Sequence, residues 1–394
     1  MELTVEQSTL TRALRLVARV VPARSINPVH QLVLLDAEPG LLRLTATDGD
    51  LGAIVTVPAD IAASGQVGIP ARLLSDYVAQ LPSGPIRIGA DPAARRVRVC
   101  SGHFASDFAL LGVDGFPVLP AADDSSGLEL DAARLRGAID RVAFAAARGD
   151  QRPVLAGVLF DLTSDGLILA AADGFRLART QLPEVTSSPR QLIIPARALA
   201  EFARVLDASV ETARLTPTTD GGGVYLKAKD TAFFARLVQG PFPEIERVIP
   251  KGWRTRVTLE TGELRKGVRV AGFFGDVGAH PVVLRAEESR LMLEAQDDET
   301  GQWRSELPAS LEGEAQAVAL NALLLAEVLD AVRTSVVELA WNSPQEPVVV
   351  REAGHTTEAD LWAIMPLYLA SLSHPRSAAA AGPGDDDGHR GHAA

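Results

Sequence analysis

The sequence is poor in cysteine: Cys100 is the only one among 394 residues. A disulfide within one chain is therefore impossible, and a metal site built from several cysteines is excluded. No apolar run approaches the ~18 residues that a membrane-spanning helix needs. The amino-terminal segment, MELTVEQSTL, has neither a basic region nor an apolar stretch and does not resemble a signal peptide. We therefore expect a cytoplasmic protein that does not contact a membrane.

The sequence also lacks an excess of positive charge, because its formal net charge is −12. Proteins that bind nucleic acid usually carry a visible basic excess, so the composition taken alone argues against that function. Hydrophobic residues make up 47% of the chain and charged residues 22%, which is ordinary for a protein with ample core material. The length predicts roughly two to four domains.

What the sequence does contain is an internal repeat. Three stretches align around Asp48, Asp173 and Asp297, which lie 125 and 124 residues apart. They read TATDGDLGAIVTVP, AAADGFRLARTQLP and EAQDDETGQWRSELP. Each aspartate follows an alternating run of apolar residues, as expected for a half-buried strand that enters a turn.

Two further sets of matches keep the same order. IPARLLSDYVAQLP, IPARALAEFARVLD and LNALLLAEVLDAVR align without gaps, and their apolar residues at i, i+3 and i+7 predict one face of a short helix. The pairs Phe116-Pro117, Phe242-Pro243 and Met365-Pro366 close the repeats, and their prolines follow the aspartates by 69, 70 and 69 residues. The constant order indicates a triplication. The alternative is three unrelated α+β domains.

Each repeat has the coarse order strand, helix, several strands, helix, more strands. This order predicts α+β domains with helices on one face of antiparallel sheets. The apolar spacing predicts first helices around Leu10, Leu14 and Val17, around Leu135, Ile139 and Val142, and around Leu264 and Val268. Turn-rich segments at 122–128 and 250–256 set the expected domains at 1–122, 127–250 and 251–370, followed by a disordered tail at 371–394.

Candidate sites of chemistry are poor. Gly221-Gly222-Gly223 lacks the Lys-Ser/Thr of a phosphate-binding loop and a following helix, so it predicts a hairpin turn. Asp297-Asp298-Glu299 has the residue types of a metal cluster, but its alignment with the other turn aspartates favours a solvated turn. No Ser/His/Asp or Cys/His arrangement is evident. We expect no enzyme, no metal and no cofactor, and an unrecognised hydrolase is the least favoured alternative.

The positive charge concentrates on the predicted helices. For any single helix, the basic residues are explained by arginines that occupy the solvated face of an amphipathic helix. The same bias in all three repeats predicts one electropositive surface, which would hold phosphates without reading bases. The residues are Arg12, Arg15, Arg19 and Arg24; Arg134, Arg136, Arg141, Arg148 and Arg152; Arg265, Lys266 and Arg269; and, on the second helices, Arg72, Arg197, Arg204 and Arg333.

Together the triplication and several motifs resemble the bacterial beta sliding clamp family, the processivity subunit of DNA polymerase III, over roughly residues 1–369. The most specific matches are Ala172-Asp173-Gly174-Phe175-Arg176-Leu177-Ala178 and Gly240-Pro241-Phe242-Pro243 with Arg247-Val248-Ile249-Pro250. The resemblance implies a non-enzymatic protein with helices inside and sheets outside. It implies a homodimer closed head to tail into a pseudo-sixfold ring around duplex DNA, bound without sequence preference. The other implied partners are the polymerase alpha subunit, the clamp loader and further proteins with a clamp-binding motif.

The resemblance also implies three sites. A hydrophobic partner-peptide groove falls on Leu155, Gly174, Phe175, Arg176, Leu177, Pro243, Arg247, Val248, Met365, Pro366 and Leu367, with the arginines orienting the peptide. The seam between subunits falls on Phe108 and Leu110 of one copy and on Phe273 and Phe274 of the other. DNA contacts fall on Arg24, Arg72, Arg152 and Arg197.

Alternatives remain open for these sites and for the function. Ordinary core packing is the competing interpretation of Leu155 and Val248, and Phe273 and Phe274 could both cover their own domain. Ala172, Phe175 and Tyr368 depart from the family pattern. A protein with the same fold that captures partner peptides without encircling DNA is therefore the alternative function.

Overall fold

The structure, a computed structural model, describes residues 1–91, 93–149, 151–185, 189–274, 280–297, 299–354 and 360–368. Asp298 and the expected tail at 371–394 lie outside the described residues. Contacts divide the chain into two compact units. The first contains residues 1–249, 330–333 and 350–363, and the second contains 250–329, 334–349 and the residues from 364 onward.

The first repeat supplies two helices and two sets of strands. They are β1 (Glu2–Glu6), α1 (Gln7–Val17), β2 (Leu32–Glu38), β3 (Leu41–Thr47), β4 (Leu51–Pro58), β5 (Asp60–Ala63), β6 (Gly65–Pro70), α2 (Ala71–Gln80), β7 (Pro85–Asp91), β8 (Arg96–Ser101) and β9 (Phe104–Ala109).

The other two repeats follow the same order, except that neither has a separate strand equivalent to β5 among the described residues. The second contains β10 (Leu128–Asp131), α3 (Ala132–Val142), β11 (Gly157–Thr163), β12 (Gly166–Ala172), β13 (Arg176–Leu182), β14 (Arg190–Pro195), α4 (Ala196–Ala203), β15 (Thr212–Pro217), β16 (Gly223–Ala228) and β17 (Thr231–Arg236). The third contains β18 (Thr255–Glu260), α5 (Thr261–Ala271), β19 (Pro281–Glu287), β20 (Arg290–Asp297), β21 (Gly301–Gly313), β22 (Ala317–Asn321), α6 (Ala322–Ala331), β23 (Val336–Trp341), β24 (Val348–Glu352) and β25 (Leu361–Ile364).

The predicted helices are confirmed, and their apolar faces are buried. Helix α1 buries Leu10, Leu14 and Val17, and α3 and α5 bury the equivalent residues. Carboxylates start two of these helices. The side chain of Asp131 accepts a hydrogen bond from the backbone N–H of Arg134 (2.8 Å), and that of Glu260 accepts one from Glu263 (2.6 Å). Each bond satisfies a backbone donor that the first helical turn leaves unpaired.

The second helices are shorter than their apolar pattern. Helix α2 ends at Gln80, yet Leu81 is still buried, and Leu206 and Val332 are likewise buried beyond the ends of α4 and α6. The apolar residue at i+7 therefore lies in the segment after the helix and not in the helix itself.

The three turn aspartates form the same turn, which confirms their alignment. Oδ1 of Asp173 accepts the backbone N–H groups of Phe175 and Arg176, both at 2.9 Å. Asp48 and Asp297 make the equivalent pairs of bonds at 3.0 and 2.7 Å and at 2.9 and 2.8 Å. A side chain that bonds to backbone amides two and three residues ahead stabilises a tight turn without any metal.

The predicted hairpin at Gly221-Gly222-Gly223 is also confirmed, since it joins β15 to β16. Oδ1 of Asp220 accepts the N–H of Gly222 at 2.9 Å, and Gly221 has a φ of +70°, where a side chain would be strained.

Within the first unit, the last strand of the second repeat joins the sheet of the first repeat. The order is β10-β15-β16-β17-β4-β3-β2-β6, with Thr231 opposite Val55 and Ala235 opposite Leu51. Strand β25 of the third repeat lies beside β13 of the second in the same way. This exchange explains why the contact units do not follow the repeats. The domain boundaries at 122, 127, 250 and 370 remain a proposal.

The second unit is built on the strand order β23-β18-β21-β20-β19-β22. Helix α5 packs on β20 and β21, and a Cβ added to Gly267 would lie 3.1 Å from Cδ2 of Leu293, so glycine permits this close approach. No helix in the described ranges is long and apolar enough to cross a membrane.

Candidate partner groove, subunit seam and basic helices

The Asp173 turn presents Phe175 to solvent. The Phe175 side chain is 67% exposed, whereas Gly174 before it has a φ of +95° that favours glycine. Arg176 lies beneath the turn and is 6% exposed. Its Nε donates to Oδ2 of Asp173 (3.0 Å) and its Nη2 to the carbonyl oxygen of Phe144 (2.7 Å). The guanidinium of Arg176 is therefore buried and holds the turn, and the orientation of a peptide by Arg176 stays a prediction.

A buried apolar cluster supports this turn. It contains Leu159, Ala170, Leu177, Ile193, Ile245 and Ala363, and the partly buried Val154, Ala172, Val238, Phe242 and Ile249 pack against it. Leu177 and Leu155 are only 3% and 6% exposed, so they form the floor of a surface rather than the surface itself. Sequence reasoning missed Val154 and Ile249, although each is the neighbour of a residue that the family pattern selects.

The segment after Phe242 forms a rim. Pro243 is exposed, Val248 is 44% exposed, and the Arg247 side chain is 80% exposed in an ion pair with Glu244 at 2.5 Å. An ion pair this exposed contributes little stability, so Arg247 can exchange its partner at small cost. The exposed side chains of Phe175 and Val248 are named here the Phe175 surface.

Arg152 lies beside the same turn. It is exposed, and its Nη1 is 3.8 Å from the position that a Cβ would take on Gly174. The sequence assigned Arg152 to DNA. That assignment stays a prediction, and the structure places Arg152 next to the Phe175 surface.

Met365, Pro366 and Leu367 follow β25 in the second unit. Met365 is 39% exposed, Pro366 and Leu367 are half-buried, and the N–H of Leu367 donates to the carbonyl oxygen of Ala319 at 2.8 Å. Along the chain, Met365 comes two residues after Ala363, which belongs to the apolar cluster of the first unit.

The equivalent place in the first repeat is polar. Asp50 aligns with Phe175, and its Oδ1 accepts a hydrogen bond from Nε of Arg236 at 2.8 Å. Gly52 aligns with Leu177, and a Cβ there would lie 3.0 Å from Cδ1 of Leu119. The same turn therefore carries an ion pair in the first repeat and an exposed aromatic ring in the second. Of these two repeats, the second has the exposed apolar side chain at this turn.

Arg12 and Arg15 lie on α1, and Arg19 follows two residues after its end. Arg12, Arg15 and Arg19 border a groove beside α2, together with Gln7, Ser8 and Thr11. Arg12 pairs with Asp230 at 2.9 Å and Arg19 with Glu201 at 3.3 Å, and the two arginine side chains are 60% and 44% exposed. Such exposed pairs are weak and leave the cations accessible to phosphate.

The other DNA candidates are also on the surface. Arg24 and Arg72 are exposed, and Nη2 of Arg72 donates to the carbonyl oxygen of Val21 at 3.1 Å. Arg197 is 57% exposed and lies 3.8 Å from a carboxylate oxygen of Asp48. Arg141 departs from the predicted basic surface, because its side chain is only 18% exposed and is bound by two carboxylates.

The expected seam residues in the first repeat are not both at the surface. Phe108 is 7% exposed and packs edge-on against Tyr77 with ring centroids 5.4 Å apart. The Phe108 side chain therefore packs in the core of its own domain, and its assignment to the seam stays a prediction. Leu110 is half-buried. The exposed apolar side chains nearby in sequence are Phe104 at 56% and Leu111 at 37%.

The seam residues of the third repeat are placed differently. Phe273 is 77% exposed and Phe274 is half-buried, so the two adjacent rings do not both cover their own domain. Val270 and Leu323 are 39% and 51% exposed, and a Cβ on Gly272 would lie 3.9 Å from that of Ala322. The end of α5 therefore meets the start of α6. Val270, Phe273 and Leu323 form the Phe273 patch, of which the sequence predicted only Phe273.

Several sheet edges have no strand partner in the part of the chain that the structure describes, and two of them lie on β9 and β21. Strand β9 ends the order β5-β1-β7-β8-β9 and pairs only with β8. Strand β21 pairs with β20 along residues 301–308 and with β18 only from Ala309 onward, so the other side of its first half is open. Unpaired edges present backbone donors and acceptors that another strand can satisfy.

Asp297 illustrates the local electrostatics of the turns. The backbone N–H groups of Thr300 and Glu299 hold the pKa of its carboxyl below the ordinary value. Among the described residues, no three His, Cys, Asp or Glu side chains come together as metal ligands.

Three α+β repeats share one turn and two helices, and the last strands of the second and third repeats join the sheet of the repeat before, which defines a clamp-type fold. Profiles of the N-terminal, central and C-terminal domains of the DNA polymerase III beta subunit match residues 1–120, 129–244 and 246–367. The chain therefore belongs to the DNA polymerase III beta subunit family, the bacterial beta sliding clamps.

Individual relatives agree with this membership. The chain is 30% identical over 379 residues to a beta sliding clamp of Synechococcus elongatus, which covers 94% of this chain and 100% of that protein. It is 30% identical over 382 residues to one of Streptomyces coelicolor, with the same coverage. A crystal structure of the Pseudomonas aeruginosa DNA polymerase sliding clamp superimposes with a TM-score of 0.87 at 26% identity, covering 94% and 100% of the two chains. These relatives do not favour the alternative of a scaffold that leaves DNA unencircled.

Proposed function

We propose that two copies of this sliding clamp close into a ring around duplex DNA and tether DNA polymerase III and other partners for processive synthesis. The observation that carries the proposal is the strand exchange between repeats. Strand β17 joins β4 of the preceding repeat, and β25 joins β13 of the preceding repeat. Strand β9 is the equivalent of β17 and β25, and among the described residues it pairs only with β8.

A second copy supplies the missing neighbour. Strand β21 is the equivalent of β4 and β13, and the outer side of its first half is open. If β9 of one copy pairs with β21 of the other, the contact between the two chains has the same strand pairing as the β17–β4 and β25–β13 junctions within one chain. The contact is head to tail, so it forms a closed ring only if the rotations close, and two copies give six repeats. The Phe273 patch and the side chains of Phe104, Leu110 and Leu111 are proposed to cover this seam.

The DNA would pass through the ring along the helices. Arg24, Arg72 and Arg197 are proposed to contact phosphates, together with the α1 arginines. Accessible cations bind the backbone by screened attraction and read no bases, which permits sliding. Encirclement retains the protein without high affinity, so the net charge of −12 does not oppose this function.

The Phe175 surface is proposed to belong to the partner-peptide groove, and so are Met365, Pro366 and Leu367. Exposed apolar anchors over a packed floor, with a few polar groups at the rim, fit a short extended or helical peptide. Arg152 and Arg247 would supply the polar rim. The partners are the polymerase alpha subunit, the clamp loader and other proteins with a clamp-binding motif, and the protein itself would act without a catalytic site.

The test is retention on DNA of different topology. The protein is loaded by a clamp loader on nicked circular DNA, and the complex is passed over a sizing column in high salt. We expect the protein to stay on circles and to leave after a restriction enzyme linearises them. Linear DNA with both ends blocked by bound protein is the matched control and should retain it. Loss from intact circles, or equal retention on open linear DNA, would overturn encirclement.

A further inference from the structure

Arg141, at the end of α3, is bound by two carboxylates from distant parts of the chain. Its Nη1 lies 2.7 Å from Oδ2 of Asp360 and 3.2 Å from Oε2 of Glu352, and its Nη2 also reaches Glu352 at 3.2 Å. Arg141, Glu352 and Asp360 are called here the Arg141 cluster. All three belong to the first compact unit.

Further bonds extend the cluster into the backbone. Nε1 of Trp362 donates to the carbonyl oxygen of Arg141 at 2.9 Å, and the hydroxyl of Thr180 on β13 donates to Asp360. The backbone N–H of Arg333 donates to the second oxygen of Glu352 at 2.6 Å. Asp360, directly before β25, therefore binds both α3 and β13, and Trp362 within β25 binds α3.

The cluster is withdrawn from solvent. The side chains of Arg141, Glu352 and Asp360 are 18%, 3% and 30% exposed, and Trp362 is fully buried. Charges in such surroundings persist only when they are paired, and removal of one partner leaves the other uncompensated. The cluster thus has one strongly preferred arrangement, which is what a rigid attachment requires.

The attached strand runs directly into the proposed groove. Ala363 belongs to the apolar cluster beneath Phe175, and Met365 follows two residues later. Two residues span at most about 7 Å of extended chain, so the position of Ala363 limits where Met365 can lie. The Arg141 cluster itself contains no exposed apolar group that could serve as a peptide anchor.

The first two repeats provide an internal comparison. Asp230 directly precedes β17, as Asp360 directly precedes β25. Asp230 pairs with Arg12 at 2.9 Å, but these side chains are 34% and 60% exposed. This exposed pair lies at the junction where Asp50 and Arg236 replace the apolar surface.

We propose that Arg141, Glu352 and Asp360 are positioning residues for partner-peptide capture: they hold β25, from which the chain continues directly into Met365, Pro366 and Leu367. The inference rests on the groove proposed above. The residues act through β25 and do not touch the peptide.

The test measures peptide affinity and global stability side by side. The probe is a fluorescein-labelled synthetic peptide with leucine and phenylalanine anchors, and its binding to the full-length protein is followed by fluorescence anisotropy. Asp360→Asn removes the charge at nearly constant shape and should weaken binding about tenfold. Asp230→Asn is the matched control and should leave the affinity unchanged. Thermal unfolding of each variant reports whether the fold persists.

A second pair of variants guards against misfolding. Arg141→Met should weaken binding at least as much as Asp360→Asn, whereas Arg141→Lys keeps the charge and should recover part of the affinity. Hydrogen exchange over residues 361–368 should rise in the weakened variants and not in Asp230→Asn.

The outcomes separate the two proposals. Binding by the wild type with an unchanged affinity in Asp360→Asn would overturn the positioning role and leave the groove standing. A loss that follows the melting temperature in every variant, including Asp230→Asn, would overturn it as well. Failure of the wild type to bind, together with indifference to Phe175→Ala, would overturn the groove and the inference that rests on it.

Discussion

Phe273→Ala is expected to weaken the association of two copies without weakening the fold. The side chain is 77% exposed in the single chain, so its apolar area remains available to the seam. Complete burial of a phenylalanine contributes about 1.5–3 kcal/mol, and three quarters of that is roughly 1–2 kcal/mol per seam. A ring of two copies has two equivalent seams, so the loss counts twice. The dissociation constant should therefore rise by about 30- to 1,000-fold.

Sedimentation velocity over a dilution series measures this change. Val118→Ala is the matched control, because Val118 is 94% exposed and lies outside the proposed seam. Phe273→Asp combined with Phe274→Asp should give monomers that still fold. If the Phe273 variants dimerise like the control, the seam lies elsewhere. A wild-type chain that stays monomeric at micromolar concentration would refute the ring.

Three further predictions concern the groove, the core and the turns. Phe175→Ala should lower the affinity for the labelled peptide by about tenfold or more, because exposed aromatic side chains dominate peptide interfaces. Leu73→Ala, at a residue 57% exposed on α2, should leave that affinity unchanged. Gly157→Ala should lower the unfolding free energy by about 1–3 kcal/mol, since its Cβ would lie 2.4 Å from Cγ2 of Ile193. Gly137→Ala, with nothing within 4 Å, should raise it by about 0.5–1 kcal/mol, and urea titrations that rank the two glycines otherwise contradict the packing. The free energy of unfolding should fall in acid as the carboxylates of Asp297 and Asp107 become protonated. The backbone N–H of Thr300 lowers the pKa of Asp297, and a hydrogen bond from Arg98 lowers that of Asp107. A depressed folded pKa contributes stability above the unfolded value of about 4, and that stability is lost as the pH falls through the folded value. NMR titration of the Asp297 carboxyl at or above its ordinary value would contradict this.

Local features of the fold were predictable from the sequence. The helical faces, the turns at Asp48, Asp173 and Asp297, and the triplication depend on residues close together in the chain, whose periodicity is visible. The burial of a side chain was not predictable where the residues that contact it lie far away along the sequence. Arg176 is buried by Phe144, 32 residues earlier, and Arg141 by Asp360, 219 residues later. An arginine on a helix looks solvated until its carboxylate partner is known.

The candidate sites were predictable to a similar extent. The motif around Asp173 located the Phe175 turn, but motif matching does not tell an exposed Phe175 from a buried Arg176 beside it. The exchange of strands between repeats was not predictable from the alternation of apolar residues, because that pattern marks a strand without naming its neighbour.

The exchanged strand also has a consequence for how the protein is made. Strand β4 acquires its neighbour β17 only after Arg236 has left the ribosome, although the first repeat ends its own strands at Ala109. At translation speeds of about 5–20 residues per second, the nascent first repeat must wait several seconds with an open sheet edge. The same wait recurs between β13 and β25. Chains that pause during synthesis in either interval should be the ones most exposed to aggregation and most dependent on chaperones.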